Sequence, residues 1–363
     1  MTIRSHMARA TISAKVAGMQ FAKLGNTGLV VSRLCLGVMT FGVNTGNAAL
    51  GKVGQEDATK MVGAALDAGI NFFDTADIYS GGQSEEMLGK ALGGERRNVV
   101  VASKVGFRTG PAMLEAGLSR GRIIAACEAS LRRLNTDYID LYQAHKEDEF
   151  TPLEETLEAF DRLVQAGKVR YLGFSNWASW RAATAHTMQK ERGWGQFVSG
   201  QLHYSLINRE VEHELAPFLR SCGMGMLVWS PLGGGFLSGK YTRDNIGKEG
   251  RHAAFDIVPF DREKGFDLIE AMRPMAERAG CTVAQLALAW LLSKQVVTSV
   301  LVGSAKLSQL EDNLGAAKVR LDVETIQQLD KLTAPKAIYP GWFNARLTDA
   351  KTREGLAAST GAS

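Results

Sequence analysis

Two residues five positions apart give the first chemical signal. Asp74 closes a short apolar run, 70–73, that reads as a buried parallel strand, and Tyr79 follows on a loop broken by Gly81 and Gly82. Later apolar runs close in the same way, on Lys104, on His145, on Ser175 with Asn176, on Gln201 with Tyr204 beyond it, and on Trp229 with Ser230. Taken singly, each has an ordinary structural use: Asp caps turns, Lys snorkels at surfaces, and His is often a hydrogen-bonded core residue. Those uses leave unexplained why all of them fall at corresponding strand ends. A free phenol titrates near ~10 and is a poor proton donor at neutrality. An ammonium beside it favours the phenolate and lowers that value. A carboxylate paired with the lysine keeps the ammonium in place and charged, and a neutral imidazole donates one N–H to a carbonyl. The set yields a polarised carbonyl with a proton source and no nucleophile or metal. That suits hydride delivery to C=O, which requires a cofactor.

Such residues converge only if the elements behind them are parallel. The apolar runs at 34–37, 71–74, 99–104, 139–144, 169–174, 197–202, 226–229 and 299–302 read as eight strands. Amphipathic stretches at 56–68, 84–91, 121–134, 153–166, 178–190, 212–222, 267–279, 283–292 and 306–316 read as helices between and after them. Eight β–α units with near-continuous apolar strands predict a (β/α)8 TIM barrel of the α/β class, whose active site lies at the carboxyl ends of its strands. An open doubly wound sheet is the alternative, weakened because no Gly-rich nucleotide fingerprint follows the first strand. Before the barrel, 19–36 reads as a β-hairpin with a turn at Gly25-Asn26-Thr27-Gly28. The expected organisation is an extension or tag at 1–18, a barrel unit at 19–345 and a flexible tail at 346–363. The stretch 1–18 carries no acid, and Ser5-His6-Met7 resembles a cloning remnant. A long loop after strand seven, 233–260, and an aromatic tail at Tyr339, Trp342 and Phe343 exceed what a barrel needs.

Composition narrows the function classes. Of 363 residues, 45% are apolar and 22% charged, which excludes a disordered chain, and the net charge of +4 comes with no dense basic run for a phosphate backbone. Cys35, Cys127, Cys222 and Cys281 form no C-x-x-C pair and the six histidines no H-E-x-x-H, so neither a metal site nor a disulfide framework is expected. No apolar run reaches the roughly 18 residues that cross a bilayer. A cytoplasmic location fits this cysteine usage.

D-T-A-x-x-Y at 74–79, S-K-V at 103–105 and D-L-Y-Q-x-H at 140–145, with G-F-S-N at 173–176, Q-x-x-Y-S-L-I-N-R at 201–209 and W-S-P-L at 229–232, resemble the aldo-keto reductase superfamily over nearly all of 19–332. The branch resembled includes bacterial reductases and potassium-channel β subunits. The resemblance implies that Tyr79 is the general acid, tuned by Lys104 and Asp74, with His145 orienting the carbonyl. It implies that Ser175, Asn176 and Gln201 hold the nicotinamide carboxamide and that Trp229 stacks on the ring, with Ser230, Pro231 and Leu232 beside it. Gly235 and Lys240 would belong to a belt over the pyrophosphate. The same stretch, Gly234 to Lys240, nearly spells a P-loop, but Tyr241 stands where a Mg²⁺-binding hydroxyl is needed.

Between strand eight and its helix, Gly303, Ser304, Ala305, Lys306 and Gln309 would serve the 2′-phosphate end of the cofactor, and Asp312 and Asn313 its adenine. Gln309 stands where many relatives carry arginine, and Val38 where many carry a hydroxyl, with Thr40 nearby. NADPH is expected over NADH, with no metal. The resemblance implies a reductase of aldehydes or ketones, reversible to alcohol oxidation. The alternative is an NADPH-binding, redox-sensing accessory subunit that docks on a partner protein. The expected partner is a small carbonyl compound, with no nucleic acid or membrane, and larger assemblies stay open. Substrate choice is expected from loops 39–54, 106–118 and 146–151 and from the tail near Trp342, whose Trp342 and Phe343 either wall the pocket or pack on the barrel's exterior.

Overall fold

A computed structural model describes residues 18–43, 51–246, 252, 258–347 and 349–360. Of the sequence expectations, most of the extension 1–18, positions 44–50 of the first loop, and 247–251 and 253–257 of the loop after strand seven lie outside these residues.

Eight parallel strands close into a barrel in chain order: β3 (Leu34–Gly37), β4 (Phe72–Asp74), β5 (Val100–Val105), β6 (Ile139–Ala144), β7 (Val169–Ser175), β8 (Phe197–His203), β9 (Gly225–Trp229) and β10 (Val297–Val302), which returns to pair with β3. This is the expected (β/α)8 barrel, with strand bounds within two residues of the sequence expectation. Successive side chains alternate between the two faces of each strand. Phe73, Val101, Tyr142, Phe174 and Val228 face the helices, where they join the large outer core with Phe160, Trp177 and Phe197. Phe72, Val100, Ala102, Leu141 and Leu227 point inward and form a smaller apolar plug with Cys35 and Leu301.

The hairpin β1 (Phe21–Lys23) and β2 (Val30–Ser32) caps the amino end of this plug. Leu24 and Val31, both fully buried, enter the interior cluster. The Asn26 amide donates to the Gly223 carbonyl at 2.8 Å. Gly25 sits at φ 58°, and a Cβ there would lie 2.6 Å from that same carbonyl oxygen, so the turn requires glycine. One end of the barrel is therefore closed by apolar packing.

The helices are α1 (Gln55–Asp67), α2 (Gln83–Leu92), α3 (Arg120–Leu134), α4 (Leu153–Gln165), α5 (Ser179–Arg192), α6 (Leu215–Ser221), α7 (Arg262–Arg278), α8 (Val283–Ser293), α9 (Leu307–Gly315), α10 (Val323–Leu332), α11 (Gly341–Arg346) and α12 (Ala350–Thr360). Helix α7 starts five residues before the expected position because the Asp261 side chain accepts from the Lys264 amide and caps it there. Helix α10 was not expected; Asp322 caps it through the Thr325 amide at 2.7 Å. In the tail, Tyr339, Trp342 and Phe343 meet one another with ring centroids 6.0–6.4 Å apart and stay 41–70% exposed. They take no part in the outer core.

Candidate active site

The alternation that fills the barrel's lower layer with apolar residues also fills its upper layer with polar ones. Two residues on from Phe72 is Asp74, two on from Ala102 is Lys104, and two on from Leu141 is Gln143, with His145 two further. Ser175 and Trp229 end β7 and β9, and Gln201 lies two residues before the end of β8, all three facing inward. Asp74, Lys104, Gln143, Ser175 and Gln201 are all at most 2% exposed.

The Lys104 ammonium forms an ion pair with Asp74 Oδ1 and donates to the Thr75 carbonyl at 2.8 Å. Asp74 Oδ2 accepts from Gln201 Nε2 at 2.7 Å and from Gln143 Nε2 at 3.3 Å, so both carboxylate oxygens are engaged. The Tyr79 hydroxyl lies 3.4 Å from Lys104 Nζ and 3.5 Å from His145 Nε2. All four residues of the expected tetrad therefore meet at one point. Burial by itself lowers an ammonium's pKa, but Asp74 and the Tyr79 phenol outweigh it, and Lys104 titrates above its ordinary value. Burial and the nearby Lys104 charge push His145 well below 6.5, so the imidazole is neutral at physiological pH.

Tyr79 reaches this point on a tight turn, with Ser80, Gly81 and Gly82 at φ 52°, 64° and 93°. The turn rests on Thr75, whose hydroxyl is 2.9 Å from that of Ser84, and Ser84 donates to the Val38 carbonyl at 2.7 Å.

The residues expected to hold a nicotinamide are hydrogen-bonded to one another. Ser175 Oγ donates to the Gln201 carbonyl at 2.8 Å, Asn176 Nδ2 donates to Ser175 Oγ at 2.9 Å and to the His145 carbonyl at 3.1 Å, and Trp229 Nε1 donates to Asn176 Oδ1 at 2.9 Å. Asn176 and Ser230 adopt φ 57° and 50°, which turns the chain sharply at the ends of β7 and β9. Ser230 Oγ accepts from the Gly234 amide at 3.0 Å; Pro231 is buried and Leu232 half-buried behind it. The amides from Gly233 to Leu237 are taken up by bonds within this turn. At Gly235 the exposed Lys240 side chain, with its ammonium 4.9 Å from the Tyr241 ring centre, is thus the group able to meet an anion.

A second exposed cationic loop lies after β10. Gly303 passes so close to β3 that a Cβ would lie 2.9 Å from the Gly37 carbonyl oxygen. Thr40 Oγ1 donates to the Ser304 carbonyl at 2.8 Å, tying this loop to the one after β3. Ala305, Lys306 and Gln309 are exposed around the amino end of α9, which has no side-chain cap. Asp312 is bound to the start of α8, accepting from Thr282 Oγ1 at 3.2 Å and from Gln285 Nε2 at 3.0 Å, and Asn313 is buried. An inward carboxamide-sized polar set, an indole and two cationic loops fit a dinucleotide.

Three site residues carry no role in the sequence expectation. Gln143 is a second amide on Asp74. Phe107, 37% exposed, meets the His145 ring edge-on with centroids 4.6 Å apart. His203 lies against Trp229 at 4.6 Å and is pushed by burial down to about 4, hence neutral. Two-residue counting from His145 and Gln201 along their strands finds Gln143 and His203; nothing in the sequence marks Phe107. Tyr204 goes the other way: it is buried outside the barrel against Trp290 and donates to Glu212 at 2.5 Å, a structural role. Among the described residues no cluster of His, Cys, Asp and Glu is placed to hold a metal, and no helix is long and apolar enough to cross a membrane.

Comparison with known proteins places this arrangement. Residues 33–334 match the aldo/keto reductase family. The chain is 39% identical to the uncharacterized oxidoreductase YrpG of Bacillus subtilis (strain 168), over 89% of this chain and 97% of that protein. It is 34% identical to versiconal hemiacetal acetate reductase of Aspergillus parasiticus, covering 89% and 99%. It is also 34% identical to a probable voltage-gated potassium channel subunit beta of Oryza sativa subsp. japonica, covering 87% and 96%.

Proposed function

This chain belongs to the aldo/keto reductase family, and on that premise we propose that it is an NADPH-dependent reductase of aldehydes or ketones, with the barrel at 19–345 as its catalytic unit. The observation that carries the reading is a fully buried Lys104, held charged by Asp74, 3.4 Å from the Tyr79 hydroxyl. A bound reduced nicotinamide supplies the hydride for the carbonyl carbon. Tyr79 gives its proton to the carbonyl oxygen, and the phenolate left behind is stabilised by the adjacent ammonium. Asp74, itself held by Gln143 and Gln201, fixes the ammonium.

His145 is neutral, and its Nδ1 is buried with no partner among the described residues. An unpaired lone pair there costs less than an unpaired N–H, so the ring proton belongs on Nε2, beside Tyr79, where it can donate to the carbonyl oxygen. Trp229 and Phe107 supply apolar walls that keep water from the reacting atoms. Ser175, Asn176 and Gln201 would hold the carboxamide end. Lys240, the α9 amino end, Ser304, Lys306 and Gln309 would hold the phosphates, and these cations support NADPH over NADH. A cytoplasmic location is part of the reading, supported by four unpaired cysteines.

The test is NADPH oxidation across small aldehydes, sugars, pyridoxal-like aldehydes and polycyclic ketones, with Tyr79→Phe beside the wild type. Loss of about 10²-fold or more in kcat is expected; turnover within a few-fold of wild type would show Tyr79 is not the donor.

A second reading, a cofactor-binding subunit that docks on a partner protein, is supported by the similarity to the rice channel subunit. It predicts tight NADPH binding with turnover near background on every carbonyl in that screen.

A further inference from the structure

We infer that Arg122 is a positioning residue that clamps the turn carrying Tyr79 to the loop lining His145, and so sets the orientation of the carbonyl substrate; this rests on the reading of Tyr79 as proton donor. Arg122 lies in the first turn of α3, outside the barrel. Its Nη2 donates to Asp77 Oδ2 at 2.6 Å and to Thr109 Oγ1 at 3.2 Å. Asp77 precedes Tyr79 by two residues. Thr109 follows Phe107 by two, and Phe107 is the ring set against His145. One guanidinium therefore touches both segments that bracket the reacting carbonyl.

The pair is placed for geometry more than for stability. Its two side chains are 9% and 2% exposed. Burial lifts the Asp77 carboxyl to about 7 although Arg122 and Arg133 of α3 oppose the rise; Glu85 of α2 adds to it, and Tyr142 of β6 also faces the group. Asp77 Oδ1 and Arg122 Nε are buried with no partner among the described residues. An ion pair so desolvated and only partly satisfied adds little net stability. What it fixes is the approach to the left-handed turn at Ser80 to Gly82. The exit of that turn is held by α3 as well, since a Cβ on Gly82 would lie 2.7 Å from Arg133 Cδ. Arg133, whose guanidinium is bonded to Glu85, thus only packs against the exit of the turn, while Arg122 binds its approach and extends to the substrate-facing loop.

The test compares Arg122→Met, Arg122→Lys, Thr109→Val and Tyr79→Phe in the full chain. The measurements are kcat and KM for a small aldehyde and a bulky ketone, the NADPH Kd from quenching of tryptophan fluorescence, and Tm. Arg122→Met is expected to lower kcat about tenfold or more and to change the aldehyde-to-ketone preference, with NADPH Kd held within about twofold. Arg122→Lys, which keeps one donor, is expected to recover much of that loss. Thr109→Val, on an exposed loop, is expected to shift KM for the bulky ketone by a few-fold and leave Tm unchanged. If Arg122→Met folds and lowers only Tm, or shifts NADPH Kd in parallel with kcat, the inference is wrong. If Arg122→Met does not fold, Arg122→Lys and Thr109→Val decide alone, and unchanged kinetics in both overturn it. An active Tyr79→Phe would instead sink the proton-donor reading, whatever Arg122 does.

Discussion

The two ends of the barrel are built from the same eight strands and share almost nothing else. At the amino end Leu24, Val31, Phe72, Val100 and Leu141 form a dry plug sealed by a hairpin. Two to four residues further along these strands the interior holds Asp74, Lys104 and Gln143, equally buried but charged or polar. The first layer is stabilised by burial in itself. The second is tolerated because its charges are paired: Asp74 is met by a lysine and two amides. The lesson is that the coupling runs one way: substitutions in the apolar layer are expected to cost stability and leave the chemistry intact, whereas those in the charged layer are expected to cost both.

Lys104→Met gives the largest expected effect. It removes the charge beside Tyr79 and leaves Asp74 buried without its cation, so kcat is expected to fall by about 10²–10⁴. The same change is expected to cost about 3–5 kcal/mol of stability, read by urea unfolding. Preserved turnover would dissolve the division between layers. Leu24→Ala probes the other side: a cavity under the hairpin is expected to cost about 2–5 kcal/mol, with kcat of the folded enzyme unchanged. A matching fall in kcat would show that the plug transmits strain to the mouth.

Lys306→Glu is a smaller perturbation at the rim. It is expected to raise the NADPH Kd by about tenfold and the NADH Kd far less; equal shifts would remove Lys306 from the phosphate site. His145 supplies a test through its protonation. Because its folded value lies well below 6.5, the rate profile is expected to show no histidine step near about 6.5, and stability is expected to fall as pH drops below that value, where the unfolded chain takes up the proton first.

The smallest effect concerns Asp77, which lies outside the barrel and belongs to neither layer. Its carboxyl is raised to about 7, mainly by burial, so its contribution to stability is full below the unfolded value of about 4 and is lost as pH rises through about 7. Wild-type Tm is therefore expected to decline more from pH 5 to pH 8 than that of Asp77→Asn, by a few degrees at most on this scale.

The sequence alone indicated the barrel through its eight β–α units and placed Asp74, Lys104 and His145 at strand ends with Tyr79 on the loop beyond one of them, while the roles of the four came from the resemblance of their motifs. Once 70–74 is a strand with Phe72 inside, Asp74 is inside as well, and the same count carries Lys104, His145 and Ser175 to one end. It missed α10, whose single cap at Asp322 is a weak local signal. Tertiary structure decided what counting cannot reach. Gln201 serves Asp74 across four strands, Phe107 meets His145, and Arg122 spans Asp77 and Thr109. Each of these contacts joins residues from separate elements, and their spacing along the chain carries no trace of the distance that barrel closure sets between them.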